Sequence, residues 1–276
     1  VVFGLKESNR ILKLPRFHFL KHVQHEQSIL DKLSRSRADQ NDIAQDVALP
    51  VVEATKEIRF MLGKVETVTR GLEMSPRGVP VFAYRQHYLQ VDNGRIAVNE
   101  FTKRTSTDIS SALDYIHGKG IAHNDVTPYN LVVTGEGEDL RVVLVDYSCA
   151  CNFDQELCGF VGTPLYAHKA IFETYPRKKW SAKKEYDFSG LALTLCVLLE
   201  GKATWDVDGF PSSFPKDSNK KKELQQKFQQ KMQARQAAAE AIISNHGSSE
   251  WKDQWSRWLA ATDDTVSRKR KRRHRC

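Results

Sequence analysis

The chain contains 276 residues, of which 40% are hydrophobic and 28% are charged, a balance typical of a globular protein with one large domain or two modest ones. The longest apolar run, residues 191–199, is too short to cross a membrane, and the first residues lack the pattern of a secretory signal. An odd number of cysteines, five, disfavours a disulfide-stapled secreted domain and favours reduced thiols inside a cell.

The net charge of +8 is concentrated at the C-terminus. Seven of the last nine residues are lysine or arginine, so the rest of the chain is close to neutral. Such a run is typical of a solvated, disordered end or of a nuclear import signal. We expect residues 263–276 to form a disordered tail. Its run Arg268–Arg275 either stays solvated or binds an import receptor, and we expect no more than non-specific contacts with nucleic acid. The expected location of the protein is the nucleus or the cytoplasm.

The first 65 residues predict four β-strands and one helix. In chain order these are strands at Val1–Lys6 and Arg10–Leu14, a helix between Phe19 and Leu33, and strands at Leu49–Ala54 and Arg59–Val65. The polar tripeptide 7–9 predicts a hairpin turn between the first two strands. Residues 34–45 are polar and predict a loop. Residues 66–100 mix glycine, proline and aromatic residues and allow no assignment.

From Thr107 onwards the pattern becomes mainly helical. The predicted elements are a helix that stops at Gly118–Gly120, strands at Leu131–Val133 and Arg141–Val145, a helix at Tyr186–Glu200, and two C-terminal helices with apolar stripes at Leu224–Met232 and Trp251–Leu259. The helix at Tyr186–Glu200 is strongly apolar, which predicts burial on most sides. The two C-terminal stripes predict helix faces that pack on the core of the same domain.

The residues most informative about function lie between His123 and Asp146. Asp125 falls between a predicted helix and a strand, Asn130 follows five residues later, and Asp146 ends a β-rich run. Phosphoryl transfer needs a carboxylate that orients the attacking hydroxyl and accepts its proton, and oxygen ligands that hold Mg²⁺ against the phosphates. The spacing therefore indicates a phosphotransferase in which Asp125 handles the proton and Asn130 and Asp146 bind the metal. We expect His123 to be a structural residue that bonds to the loop backbone.

This segment resembles the eukaryotic protein-kinase superfamily. Residues 112–123 look like the helix that leads into the catalytic loop of that family. Asp125 and Asn130 match its base and its metal-binding asparagine, and Asp146 matches the aspartate of the Asp-Phe-Gly motif.

The resemblance continues on both sides of the catalytic segment. Residues Gly162–Tyr166 resemble the substrate-facing end of the activation segment, and Asp187 resembles the buried aspartate that steadies the catalytic-loop backbone. Upstream, Lys13 matches the ATP-binding lysine and Glu26 matches the glutamate that pairs with it. The resemblance implies an α+β, bilobal fold that binds ATP and Mg²⁺, with a partial β-rich small lobe at 1–66 and a mainly helical large lobe at 67–262.

Three positions depart from the family pattern, and one element of the pattern is missing. Asn124 stands where many kinases have an arginine that contacts an activation-segment phosphate, and Thr127 replaces a lysine that contacts the γ-phosphate. Ser148 replaces the glycine of Asp-Phe-Gly. Gly4 is the only glycine before Lys13, so the chain is expected to begin in the second strand of the small lobe, without a Gly-rich phosphate loop.

Three functions fit these features. The intact Asp/Asn/Asp set and the Gly162–Tyr166 segment favour an ATP- and Mg²⁺-dependent protein kinase that acts on serine or threonine. Thr127, Ser148 and the missing phosphate loop favour a pseudokinase that serves as a binding or scaffold module. His-Asn-Asp also occurs in choline-kinase-like and aminoglycoside-phosphotransferase-like enzymes, but the substrate-loop match and the Asp187 helix disfavour a small-molecule kinase.

Overall fold

The structure is a computed structural model that describes residues 2–4, 8–14, 20–38, 47, 49–62, 65–88, 94–153, 155–157, 161–174, 179–203, 205, 218–246 and 249–260. The strands are β1 Val2–Gly4, β2 Ile11–Lys13, β3 Val51–Leu62, β4 Val65–Ser75, β5 Val79–Pro80, β6 Ile121–Ala122, β7 Leu131–Thr134, β8 Arg141–Leu144, β9 Cys151–Asn152, β10 Glu156–Leu157 and β11 Trp180–Ser181. The helices are α1 Leu20–Ala38, α2 Val81–Tyr88, α3 Gly94–Gly118, α4 Lys169–Thr174, α5 Lys184–Glu200, α6 Ser218–His246 and α7 Ser249–Ala260.

The first lobe is an antiparallel sheet with one helix packed on it. Its strands lie in the order β1-β2-β4-β3. The buried apolar residues of α1 recur at helical spacing: Val23, Ile29, Leu30 and Leu33. They share one hydrophobic core with Leu72 and Met74 of β4, so the helix is fixed against the sheet by apolar burial.

The second lobe is built around α5. Every residue of α5 from Ser189 to Leu199 is buried, because the helix is apolar on all sides and its neighbours α3, α6 and α7 cover it. Trp255 of α7 is fully buried and donates its indole N–H to Ser106 Oγ of α3, at 2.8 Å. The hairpin of β7 and β8 packs on α3 and positions the loop that follows β8.

Most sequence predictions for these elements are confirmed. The β1–β2 hairpin pairs Val2 with Lys13, and α5 is buried as its composition indicated. Trp251 and Leu259 are buried in the core of their own domain, as is Phe228 of the other C-terminal stripe. The predicted α+β fold, with a sheet lobe and a mainly helical lobe, is therefore observed.

The prediction of two strands at 49–54 and 59–65 is wrong. These residues instead contribute to the single strand β3, and Val65 already begins β4. The polar residues 55–57 of β3 are exposed at the edge of the sheet, so they interrupt the apolar pattern without interrupting the backbone pairing.

Two boundaries also differ from prediction. Helix α1 continues to Ala38 instead of ending before residue 34, because the solvent-facing side of a helix accepts polar residues. Residues 39–45 of the expected loop lie outside the described part of the chain. The sheet of the first lobe extends to Ser75, where β4 ends, so the boundary expected at residue 66 falls inside a paired strand. Helix α3 also begins at Gly94, within the segment that allowed no assignment.

Among the helices of the described residues, none combines the length and the hydrophobicity that a membrane span requires. The tail 263–276 lies outside the described residues, so its disorder and its binding to an import receptor stay predictions.

Candidate active site

The loop after β6 is held by a buried carboxylate from the first turn of α5. The Oδ1 and Oδ2 atoms of Asp187 accept hydrogen bonds from the backbone N–H groups of Asn124 and His123, at 2.7 and 2.8 Å. His117, at the end of α3, places its Nε2 2.8 Å from Asp187 Oδ2. The two backbone bonds stabilise a loop in which Asn124 has a positive φ of 63°.

His123 bonds to the loop backbone, as expected from the sequence. Its Nδ1 accepts a hydrogen bond from the N–H of Asp125 at 3.3 Å. Because Nδ1 is the acceptor, the proton of a neutral ring is on Nε2, which lies 3.2 Å from the carbonyl oxygen of Val145 and donates to it. The ring thus joins the catalytic loop to the segment that carries Asp146.

Asp125 is oriented through both carboxylate oxygens. Its Oδ1 accepts a hydrogen bond from the N–H of Thr163 at 2.8 Å, and its Oδ2 accepts one from Asn130 Nδ2 at 2.8 Å. Asn130 Nδ2 also donates to the carbonyl oxygen of Asp125 at 2.9 Å. Thr163 therefore contacts the catalytic loop through its backbone, and a carboxylate held at two points is suited to orient a reacting hydroxyl.

Asp146 follows β8 in a left-handed conformation, with a φ of 66°. Its Oδ1 accepts from Lys13 Nζ at 2.9 Å and from the N–H of Ser148 at 3.3 Å. Burial alone would raise the pKa of Asp146, but Lys13 and the hydrogen bonds from Ser148 outweigh it and lower this pKa to about 2. The side chain is therefore an ionised carboxylate at neutral pH.

Lys13 of β2 and Glu26 of α1 form the ion pair that the resemblance implied, with Nζ 2.6 Å from Oε2. Glu26 is fully buried, and its Oε1 accepts a hydrogen bond from the N–H of Tyr147 at 3.0 Å. Burial opposes the charge of Lys13, yet Glu26 and Asp146 outweigh it and raise the Lys13 pKa above its usual value. For Glu26 burial prevails over the charge of Lys13, so its pKa is also raised. Through these contacts Lys13 and Glu26 join the sheet, α1 and the segment that carries Asp146.

Helix α1 has two more contacts with the segment after Asp146 that the sequence did not reveal. His25 Nε2 lies 2.6 Å from the carbonyl oxygen of Ala150, and Lys32 Nζ donates to Asn152 Oδ1 at 2.8 Å. A lone histidine or lysine on the polar side of a helix carries no sequence signal, so only the fold identifies these contacts.

Two of the positions that depart from the family pattern, Asn124 and Thr127, lie in the loop after β6 and differ in their hydrogen bonding. Asn124 Nδ2 donates to the carbonyl oxygen of Cys149 at 3.1 Å and to Cys151 Sγ at 3.2 Å, so it ties the catalytic loop to the following segment. Thr127 is buried, and its Oγ1 has no hydrogen-bond partner among the described residues. The position that the resemblance assigns to a γ-phosphate lysine thus holds a buried, neutral hydroxyl.

The donor set fits Mg²⁺ held jointly with phosphates. Asp146 is ionised and its side chain is 38% exposed, and no described residue donates to Asn130 Oδ1. The N–H of Val145 donates to the carbonyl oxygen of Asn130, which joins Asn130 to the backbone directly before Asp146. Within the described ranges, no cluster of three or more His, Cys, Asp or Glu side chains is suited to a metal. One carboxylate and one amide oxygen are ligands that Mg²⁺ uses together with substrate phosphates.

Gly162 is required beside Asp125. Its φ is +90°, and a Cβ at this position would collide with the carbonyl oxygen of Asn124. We expect Gly162→Ala to destabilise the protein by about 1–3 kcal/mol, because the strained backbone and the steric clash both displace the segment. Chemical denaturation measures the change. Gly118→Ala is the control, since an added Cβ there meets nothing within 4 Å; equal stability of the two variants would contradict the prediction.

Comparison with known proteins identifies the family. The sequence model of the family described as "Protein kinase domain" matches residues 81–264. Over 115 residues the chain is 30% identical to mitogen-activated protein kinase kinase kinase 17 of Arabidopsis thaliana. The matched segment covers 41% of this chain and 28% of that protein. Over 93 residues it is 33% identical to the inhibitor of nuclear factor kappa-B kinase subunit alpha of Gallus gallus, covering 33% of this chain and 12% of that protein.

A third relative is the 3-phosphoinositide-dependent protein kinase 1 of Arabidopsis thaliana, 27% identical over 121 residues, with 39% of this chain and 23% of that protein covered. The chain thus spans less than a third of the length of each of these relatives. The family match, however, covers two thirds of the chain and includes the whole catalytic segment. The chain belongs to the protein kinase family, and the superfamily resemblance of its motifs is confirmed.

Proposed function

We propose that this protein is an ATP- and Mg²⁺-dependent protein kinase that transfers the γ-phosphoryl group to a serine or threonine hydroxyl of a protein substrate. The observation that carries the proposal is the orientation of Asp125 by Asn130 and by the N–H of Thr163. The carboxylate of Asp125 thus contacts both Asn130, a candidate metal ligand, and the segment Gly162–Tyr166, which resembles the substrate-facing end of the activation segment of kinases.

The proposed roles follow from the contacts of each side chain. Asp125 orients the substrate hydroxyl and accepts its proton as the oxygen attacks phosphorus. Asn130 and Asp146 hold Mg²⁺, which supplies positive charge near the phosphates. Lys13 positions the phosphates, and Glu26 keeps the ammonium group of Lys13 in place through their ion pair at 2.6 Å.

Mg-ATP is expected to raise the melting temperature of the protein by about 5 °C or more at a concentration 100 times its Kd. The physical reason is that a ligand which binds only the folded state stabilises it. Differential scanning fluorimetry with Mg-ATP, and with ATP plus EDTA, measures the shift and its dependence on the metal. Asp146→Asn is expected to remove the Mg²⁺-dependent part of the shift. Absence of any shift would contradict a nucleotide-dependent role.

Thr127 favours a second candidate, a pseudokinase that binds nucleotide or a protein partner without efficient transfer. A neutral, buried hydroxyl at this position cannot supply the cation that other kinases place near the γ-phosphate. The two candidates are separated by incorporation of labelled γ-phosphate into a generic protein substrate. Transfer supports the kinase, whereas a thermal shift without transfer supports the pseudokinase.

A further inference from the structure

Strand β3 forms one outer edge of the sheet in the first lobe. The strand order β1-β2-β4-β3 gives it β4 as a neighbour on one side, and no described strand pairs with it on the other side. The edge of a sheet presents backbone N–H and C=O groups that can pair with a further strand. The edge of β3 is therefore a surface on which another chain can add a strand.

The hairpin of β3 and β4 extends well beyond the rest of this sheet. Strand β2 pairs with β4 only at residues 72–74, whereas β3 stays paired with β4 from Lys56 to Leu62. These residues form a two-stranded ribbon about 20 Å long. Ile58 is half-buried, Val68 is 50% exposed, and neither is among the described residues of the hydrophobic core. A two-stranded ribbon is marginally stable by itself, so further pairing would stabilise it.

Two exposed residues of opposite charge flank Ile58 on β3. The side chains of Glu57 and Arg59 are 52% and 64% exposed, and Arg59 Nη2 lies 2.7 Å from Glu57 Oε1. Residues two apart on a strand share one face, so both charges lie on the same face of the ribbon. A lone charge on an edge strand discourages pairing, whereas two neighbouring opposite charges can each meet the other sign on an antiparallel copy of the strand.

Two-fold symmetry restricts how two β3 edges can pair. Directly opposite residues of an antiparallel pair lie on the same face of the sheet, so the two-fold axis must place one residue opposite its own copy. Of the four registers centred on residues 56–59, three place a charged residue opposite the same charge. The register centred on Ile58 instead places Glu57 opposite the partner's Arg59, and Arg59 opposite the partner's Glu57. The charges of the edge therefore complement a second copy in this register.

We propose that two copies of this chain associate through their β3 edges, in the antiparallel register centred on Ile58. The two ribbons then form one four-stranded sheet, in which Ile58 packs beside the partner's Ile58 and a Glu–Arg pair closes on each side. A two-fold contact uses the same edge of both copies and leaves neither β3 edge open, so the assembly is a dimer. The dimer does not depend on catalysis, so its failure and the failure of the proposed kinase function are distinguishable.

Sedimentation velocity of the full chain tests the association, at protein concentrations from about 1 to 100 µM. The wild type is expected to change from monomer to dimer over this range, and added salt should weaken the dimer because it screens the Glu–Arg pairs. Glu57→Arg and Arg59→Glu, made singly, each place like charges opposite one another. Either change is expected to raise the dissociation constant of the dimer about tenfold or more. Both positions are exposed, so the variants should keep the fold, which far-UV circular dichroism checks.

An equimolar mixture of the two single variants is the decisive sample. In a mixed dimer, every charge at positions 57 and 59 again lies opposite the other sign. Mixing is therefore expected to bring the dissociation constant back to within about threefold of the wild-type value, and the double variant Glu57→Arg/Arg59→Glu should recover by itself. Glu156→Arg is the matched control, because Glu156 forms an exposed pair with Lys179 at 2.7 Å on the β10–β11 ribbon. This variant should dimerise as the wild type does.

Four results would overturn the proposal. The first is a wild type that stays monomeric up to about 100 µM, which would leave the edge to another partner. The second is a dimer that neither single reversal weakens, since the copies would then meet elsewhere, and the third is a mixture that does not recover. The fourth comes from hydrogen exchange: equal protection of the β3 amides in dilute and in concentrated protein would show that a segment of the same chain covers the edge.

Discussion

Asp125→Asn is expected to lower the rate of phosphoryl transfer by about 10²–10⁴-fold. The amide cannot accept the proton of the substrate hydroxyl, but its oxygen can still accept the hydrogen bond from the N–H of Thr163 that Oδ1 accepts in the wild type. The variant should therefore fold and bind nucleotide while losing transfer. Incorporation of label from γ-labelled ATP into a generic protein substrate measures the loss.

The control for this experiment is Asp114→Asn. Asp114 is exposed on α3, so the same chemical change is made on the surface and away from the loop. Its rate should match that of the wild type. Equal incorporation by the wild type and by Asp125→Asn would show that the measured transfer does not depend on Asp125, and the proposed mechanism would then be wrong.

The second large effect is expected for Lys13→Met, which should lower the free energy of unfolding by about 3–5 kcal/mol. The substitution leaves Glu26, which is fully buried, without its counter-charge at 2.6 Å. It also removes the group proposed to position the phosphates, so stabilisation by Mg-ATP should be lost. Urea denaturation and a thermal shift assay measure the two effects separately.

A double variant tests the cause of this destabilisation. Glu26→Gln removes the buried charge and keeps an oxygen that can accept from the N–H of Tyr147. Adding it to Lys13→Met should therefore recover part of the lost stability, with a coupling of about 0.5–3 kcal/mol, but no nucleotide binding. Lys227→Met is the surface control, because Lys227 pairs with Glu223, both side chains are more than half exposed, and such pairs contribute about 0–1 kcal/mol. Additive effects of Lys13→Met and Glu26→Gln would contradict this explanation.

The sequence predicted the parts of the site that depend on local spacing. Asp125 and Asn130 lie in one loop, and Asp146 follows the next strand, so a short motif is sufficient to indicate them. Lys13 and Glu26 were predicted from resemblance, and the structure places them in contact with each other and places Lys13 in contact with Asp146.

The sequence did not predict two of the contacts between residues that are distant in the chain. His117 meets Asp187 across 70 positions and Arg235 meets Leu165 across the same separation. Either residue alone is indistinguishable from an ordinary polar residue on an amphipathic helix. The long edge strand β3 was missed for a related reason, because exposed positions in a strand accept any polar residue and leave no periodic pattern.

The contacts of α1 described above have a consequence for control. His25, Glu26 and Lys32 all reach the stretch that begins directly after Asp146, at Ala150, Tyr147 and Asn152 respectively. Because they occupy one rigid helix, rotation of that helix would break the three contacts together and would also withdraw the partner of Lys13. Interfaces of this kind change between discrete arrangements instead of deforming gradually. A molecule that displaces α1 would therefore disturb the residues proposed to bind nucleotide and metal together, in one step.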